Sequence, residues 1–260
     1  MLGKLVYCQR YRGFETYFLH HLFSVLTKIY SFKIYFDYFK VWIVPIFRTS
    51  NKDILFIHIP KAGGTSVEKF FYANQFTVLF IDHAGNNKQY MNSLNNLTKC
   101  PPQHMHGDLL KSYFDLSKFS SIFMMVRHPV EKIVSEYNYR MKIAKIEKKK
   151  NIEINTWINE AIQACSSNPY IYDNHLRPQW HFLLDNCKVF KLEDGMHSKW
   201  VESVEKYCNV KFSIREVKVF FSSGLPTKDI GSKLSNSTLD LIYKFYEKDF
   251  ETFKYKKSLV

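Results

Sequence analysis

The stretch DILFIHIPKAGGTSVE, residues 53–68, constrains the fold of this chain more than any other. Its first half is almost wholly apolar, as a strand buried on both faces requires. Pro60 has no N–H to give to a sheet ladder and so ends the strand. Gly63 and Gly64 then let the backbone turn tightly and approach a ligand with no Cβ in the way. Thr65 and Ser66 stand where a helix begins, and the unpaired N–H groups of a helix start favour an anion. Lys61 precedes the glycines, whereas a nucleotide-hydrolysing P-loop places its lysine after them. The loop is therefore expected to bind an anion through Lys61, Ala62, Gly63, Gly64, Thr65 and Ser66, with its identity left open. A plain strand–turn–helix with a capping threonine is the alternative.

Further short apolar runs at 76–81, 121–126 and 187–192 read as strands. Segments 65–74, 129–146, 151–165, 197–208 and 235–249 read as helices, the last with Ser235 or Ser237 as its cap and Leu239, Ile242, Tyr243 and Tyr246 on its apolar face. Segments 82–104 and 222–234 read as loops. Strands separated by helices argue for an α/β domain, a P-loop-like three-layer fold with a central parallel sheet flanked by helices. The domain is expected to span 51–260, after an aromatic-rich extension over 1–50. Within that extension residues 17–47 are interrupted by His20, His21, Lys28, Lys33, Asp37 and Lys40, and no uncharged run reaches the ~18–20 residues of a membrane span. Peripheral contact with a membrane surface is one reading of it, and a helix packed on the domain is the other.

Charge narrows the partner. Against 24 acidic residues stand 37 Lys and Arg, a formal +13, which suits nucleic acid, anionic lipid or a polyanionic substrate or cofactor. No helix-turn-helix, zinc-finger or RNA-binding signature occurs, so nucleic acid is not the expected partner. The five cysteines are scattered without a CxxC pair or a nearby histidine cluster, so no metal site is expected, and they fit free thiols in a reducing compartment.

A second basic site lies in SIFMMVRHPVEKIVSEYNY, residues 121–139. A buried strand ends at Val126, Arg127 emerges at its carboxyl edge, and Pro129 suits the first turn of a helix. Ser135 lies about two turns into that helix. Arginine presents a planar fork matched to phosphate oxygens and serine adds a donor, although pairing of Arg127 with Glu131 would also account for it. Two anion sites at the carboxyl ends of parallel strands fall where open α/β sheets bind ligands. A ligand with two separated phosphate-like groups would answer both.

FIHIPKAGGTSVE followed some sixty residues later by VRHPVEKIVSEYNY resembles the carbohydrate sulfotransferases that use 3′-phosphoadenosine 5′-phosphosulfate (PAPS). It is most similar to the branch with the heparan sulfate 2-O and 6-O sulfotransferases and bacterial relatives. Weaker similarity runs through NHLRPQ (174–179), VFKLED (189–194) and FYEKDFETFKY (245–255). The resemblance implies that Lys61, Gly63, Gly64, Thr65 and Ser66 hold the 5′ end of PAPS, and that Arg127 and Ser135 hold its 3′-phosphate. It implies a carbohydrate acceptor, for which the basic run at 140–150 offers an anionic-glycan track if it is not simply a solvated helix end.

Sulfuryl transfer to a hydroxyl needs a cation on the leaving group, for which Lys61 is placed, and a base of near-neutral pKa, for which histidine fits. His106 is the expected base, in a segment that resembles the base segment of that branch. His104 is its rival, and Glu68 and Asp108 are carboxylate alternatives. Asn174, His175, Arg177 and Gln179 either contact sugar hydroxyls or brace a loop. A cytoplasmic enzyme, peripheral to a membrane, is expected over one in the Golgi lumen. The competing readings are a kinase-like phosphotransferase, which lacks the G-x-x-x-x-G-K-[ST] loop, and a non-catalytic nucleotide- or nucleic-acid-binding protein.

Overall fold

The computed structural model describes residues 45–79, 99–148, 150–217 and 233–257. Its centre is a five-stranded sheet of order β3-β1-β2-β4-β5. The strands are β1 (Ile46–Arg48), β2 (Asp53–Ile57), β3 (Thr77–Leu79), β4 (Ser121–Val126) and β5 (Lys188–Lys191). The helices are α1 (Gly64–Ala73), α2 (Gly107–Tyr113), α3 (Pro129–Ile146), α4 (Ile154–Ser167), α5 (Ser198–Cys208), α6 (Asn236–Phe245) and α7 (Glu247–Phe253).

The sheet is mixed rather than wholly parallel. β2, β4 and β5 run parallel, while β1 pairs antiparallel with both β2 and β3. The β1–β2 hairpin is closed by Arg48 and Asp53, opposed in register and joined by two hydrogen bonds of 2.6 Å. β1 lies within the segment that the sequence assigned to the extension, so the sheet starts before residue 50. Residues 17–44 lie outside the described residues.

Alternation along each strand feeds two cores, as a two-residue repeat dictates. Leu55, Ile57, Ile122, Met124 and Val126 face one layer, with Leu110 of α2, Phe182 and Phe253 of α7. Ile54, Phe56, Phe123 and Met125 face the other, with Val67, Phe70 and Phe71 of α1 and Trp200, Val201 and Val204 of α5. Phe47 stacks on Phe71 at 3.9 Å between centroids, and truncating either buried ring to alanine would cost about 3–5 kcal/mol. Helices α3, α4, α6 and α7 share a third cluster. Both sheet faces are thus covered, which is why the strands read as continuous apolar runs.

The helix expected over 235–249 is two helices. The chain bends at Tyr246, whose ring is fully buried and whose hydroxyl donates to the Leu176 carbonyl at 2.8 Å. α7 then brings Asp249 under the turn at 179–182, where it accepts from the Gln179 and Trp180 N–H groups. Parallel register sets Ile57 opposite Met124 and Val126 opposite Lys191. The carboxyl ends of β2, β4 and β5 therefore meet at one edge, with both basic motifs on it.

Candidate active site

The loop after β2 leaves a helix start open. Gly63 precedes α1 with φ +86°, as N-cap it offers no capping side chain, and the first turn holds no acidic residue. The positive end of α1 is thus left to a ligand, as an anion site requires. The two glycines are needed for different reasons. Gly63 supplies the left-handed turn. A Cβ on Gly64 would fall 2.3 Å from Nε2 and Cδ2 of His58, so the imidazole, packed on the loop, excludes any side chain there. Ala62 and Ser66 are buried and Thr65 is exposed at the first turn. Lys61 itself has φ +66°, a strain of about 1–2 kcal/mol for a residue with a Cβ.

The Lys61 ammonium lies 4.4 Å from the ring centroid of Tyr139 on α3. Burial lowers its pKa, the nearby Glu136 raises it, and Arg127 and Arg140 lower it again. Arg127 bonds Glu131 through Nε and Nη2 at 3.2 and 3.1 Å, and donates from Nη1 to the Lys61 carbonyl at 3.4 Å. Its main chain is gripped by the buried Gln179, which accepts from Arg127 N–H at 2.9 Å and donates to its carbonyl at 2.7 Å. Ser135 is buried on α3 beside Glu136. The pairing with Glu131 read from the sequence is present, and the same guanidinium still reaches the lysine loop.

The two candidate histidines face different surroundings. His104 is buried, and its ring meets His58 at 5.2 Å and His175 at 4.8 Å between centroids, both edge to face. Its Nδ1 lies 3.1 Å from the Asp173 carbonyl. A carbonyl only accepts, so Nδ1 carries the hydrogen and Nε2 keeps its lone pair. Burial, then His175, His58 and Lys61, hold His104 well below the ordinary histidine value, against the Asp173 bond that raises it. His106 ends the turn before α2, against the rings of Tyr170 and Phe182. Burial and Arg177 push it down to about 4, and its Nδ1 has no hydrogen-bond partner among the described residues. Lys61 is among the charges acting on His104, whereas those on His106 are Arg177, Asp108, His181 and Lys99. His104 is joined to the lysine loop through the His58 ring that packs on Gly64.

The NHLRPQ segment braces that histidine. Tyr172, Asp173 and Asn174 have φ of 53°, 58° and 71°, three left-handed residues in a row where single ones are the rule. The strain aims the Asp173 carbonyl at the His104 ring, while the buried Asn174 donates from Nδ2 to the His104 carbonyl at 2.7 Å. Arg177 is buried and donates to Asn174 Oδ1 at 2.5 Å. His175 donates to Glu136 Oε2 at 2.7 Å. Of the two readings given to Asn174, His175, Arg177 and Gln179, these contacts are those of a brace.

Four partners of the site escaped the sequence: His58, Glu136, Tyr139 and Arg140. His58 carried a signal, a histidine at the end of an apolar strand three residues before Lys61. Glu136 is fully buried and accepts from Arg140 Nε at 2.6 Å as well as from His175. Arg140, read as the start of the basic run, turns inward to it, while Lys142, Lys145 and Lys148 are exposed. No group of His, Cys, Asp or Glu among the described residues is arranged to hold a metal ion, and no helix there is long and apolar enough to cross a membrane.

The family model described as "Sulfotransferase family" matches residues 44–256. No curated protein and no solved structure matches the chain.

Proposed function

The chain belongs to the sulfotransferase family, and from that premise we propose that it moves a sulfuryl group from PAPS to a carbohydrate hydroxyl. The observation that carries this reading is the Arg127–Lys61 hydrogen bond across two strand ends, which ties the two motifs together at one sheet edge, as a ligand with two anionic ends requires. The open start of α1 and the Gly63 turn fit a 5′-phosphosulfate, and Arg127 with Ser135 fits a 3′-phosphate. PAPS held there supplies an activated sulfur that an acceptor oxygen displaces in line.

Lys61 is the cation for the charge left on the 5′-phosphate as the sulfur–oxygen bond breaks. His104 is the base: its Nδ1–H is fixed by Asp173, so Nε2 is free to take the acceptor's proton while the oxygen's electron pair forms the new bond to sulfur. Its depressed pKa keeps the ring neutral at pH 7. His106 has the same chemistry, but its neighbours are those of the Arg177 cluster. The exposed Lys142 and Lys145 in the last turns of α3, with Lys148 just beyond it, favour an anionic glycan as acceptor.

Thermal unfolding tests the reading without an acceptor. At 100 times its Kd, 3′,5′-bisphosphoadenosine should add about 2.7 kcal/mol, or roughly 5–10 °C in Tm. Stabilisation by ATP but not by the bisphosphate would overturn the assignment. Release of bisphosphoadenosine from PAPS, stimulated by neutral or uronic-acid polysaccharides, then tests the acceptor class.

A further inference from the structure

His104 stands between two imidazole–carboxylate pairs that are not equivalent. On one side is His175, bonded to Glu136. Glu136 also accepts from Arg140 and feels Lys61, so permanent cations already balance its charge. On the other side His58 Nδ1 lies 2.6 Å from Glu68 Oε1. A carboxylate only accepts, so Nδ1 of His58 carries the hydrogen. Both groups are buried, at 8 % and 9 % exposure. Among the described residues His58 is the one ion-pair partner of Glu68. A buried carboxylate without a permanent cation is costly unless positive charge comes near it.

We propose that Glu68, acting through His58, is a positioning residue for His104: its uncompensated charge stabilises the imidazolium that forms when His104 takes up the acceptor's proton. This rests on the reading of His104 as the base. The groups against the His104 ring are His58, His175 and the Asp173 carbonyl, with Lys61 as a further charge on it; Glu68 stands behind His58, and Glu136 with Arg140 stands behind His175. His175, His58 and Lys61 oppose a proton on His104. On the His175 side Glu136 is already balanced by Arg140, whereas on the other side Glu68 is bonded to His58 itself and offsets the opposition of that ring. The arrangement also joins the base to the donor loop, because the His58 ring that touches His104 is the one packed on Gly64.

The test follows histidine-ring 15N NMR in the full chain saturated with 3′,5′-bisphosphoadenosine, with His104 assigned through His104→Gln. Glu68→Gln keeps an acceptor for His58 Nδ1 and removes the charge. The His104 titration midpoint should fall by about one pH unit in Glu68→Gln. It should stay in place in Asp108→Asn, whose carboxylate acts on His106. If Glu68→Gln does not fold, Glu68→Met, close in volume, removes the same charge and should give the same fall. An unmoved midpoint, including a ring that stays neutral down to acid unfolding in both proteins, overturns the proposal. Failure of wild type to bind the bisphosphate would instead overturn the nucleotide reading, and the titration without ligand would still decide the role of Glu68. Unchanged PAPS turnover in His104→Ala would remove the base assignment alone.

Discussion

Arg127 donates to the main-chain carbonyl of Lys61 at 3.4 Å, so the arginine at the end of β4 and the lysine loop after β2 are one hydrogen-bonded unit. Arg127→Ala should weaken 3′,5′-bisphosphoadenosine binding by about 10–100-fold, the roughly 1.5–3 kcal/mol of a hydrogen bond to a charged group. Binding of adenosine 5′-monophosphate, which has no 3′-phosphate, should weaken by less than about threefold on the same reasoning. Titration calorimetry with both nucleotides measures the difference. Equal losses would show that Arg127 does not read the 3′-phosphate.

Gly63 and Gly64 should fail in different ways. Gly64→Ala drives a Cβ into the His58 ring at 2.3 Å, an overpacking that should cost about 1–3 kcal/mol. Because the clash is with one side chain, Gly64→Ala and His58→Ala should be less than additive in a double-mutant cycle. Gly63→Ala is penalised by its backbone, φ +86°, at about 1–2 kcal/mol, and should add to His58→Ala without coupling. Urea unfolding of the variants checks this, and equal coupling for both glycines would contradict the packing described.

Where local chemistry decides, the sequence was a sufficient guide. Strand 121–126 and helix 129–146 have the ends expected, because an apolar run meets Arg127, His128 and a proline that can only start a helix. Where a distant contact decides, it was not. His104 and His106 are two residues apart with the same chemistry, and the contacts that distinguish their surroundings, those of Asp173 and Asn174 with His104, come from some seventy residues away. The bend at Tyr246 is hidden because the apolar pattern continues across it, and only the Leu176 carbonyl reveals why the ring turns inward. The antiparallel half of the sheet rests on β1 and β3, three residues each, too short for a periodicity to show.

Asn174 offers a direct test of that distant contact. Asn174→Gly keeps the left-handed turn but loses the bonds to the His104 carbonyl and to Arg177. Turnover of PAPS should fall by about 10–100-fold, as misplacement of a reacting group does, while the Kd for 3′,5′-bisphosphoadenosine stays put. Full turnover in Asn174→Gly would mean that His104 needs no such brace.

Glu136 should make stability depend on pH in a defined window. Burial alone would raise its carboxyl, but His175, by charge and hydrogen bond, then Arg140 and Lys61 outweigh it and hold the pKa at about 2. Burial keeps the His175 ring below its ordinary value, so near pH 7 it serves as a neutral donor and the cations are Arg140 and Lys61. A folded pKa depressed from 4.5 to about 2 stabilises the fold above pH 4.5, and that contribution is lost as pH falls toward 2. The shift corresponds to about 3 kcal/mol. Glu136→Gln should therefore be destabilised at pH 7 by at most about that amount, since the neutral His175 gives only its hydrogen bond there, with the gap to wild type narrowing as pH falls from 5 to 3. Comparing the two proteins cancels the other carboxylates that titrate in the same range. Denaturant unfolding at each pH measures the gap, and a gap that stays constant from pH 7 to pH 3 would show that Glu136 is not the depressed carboxylate.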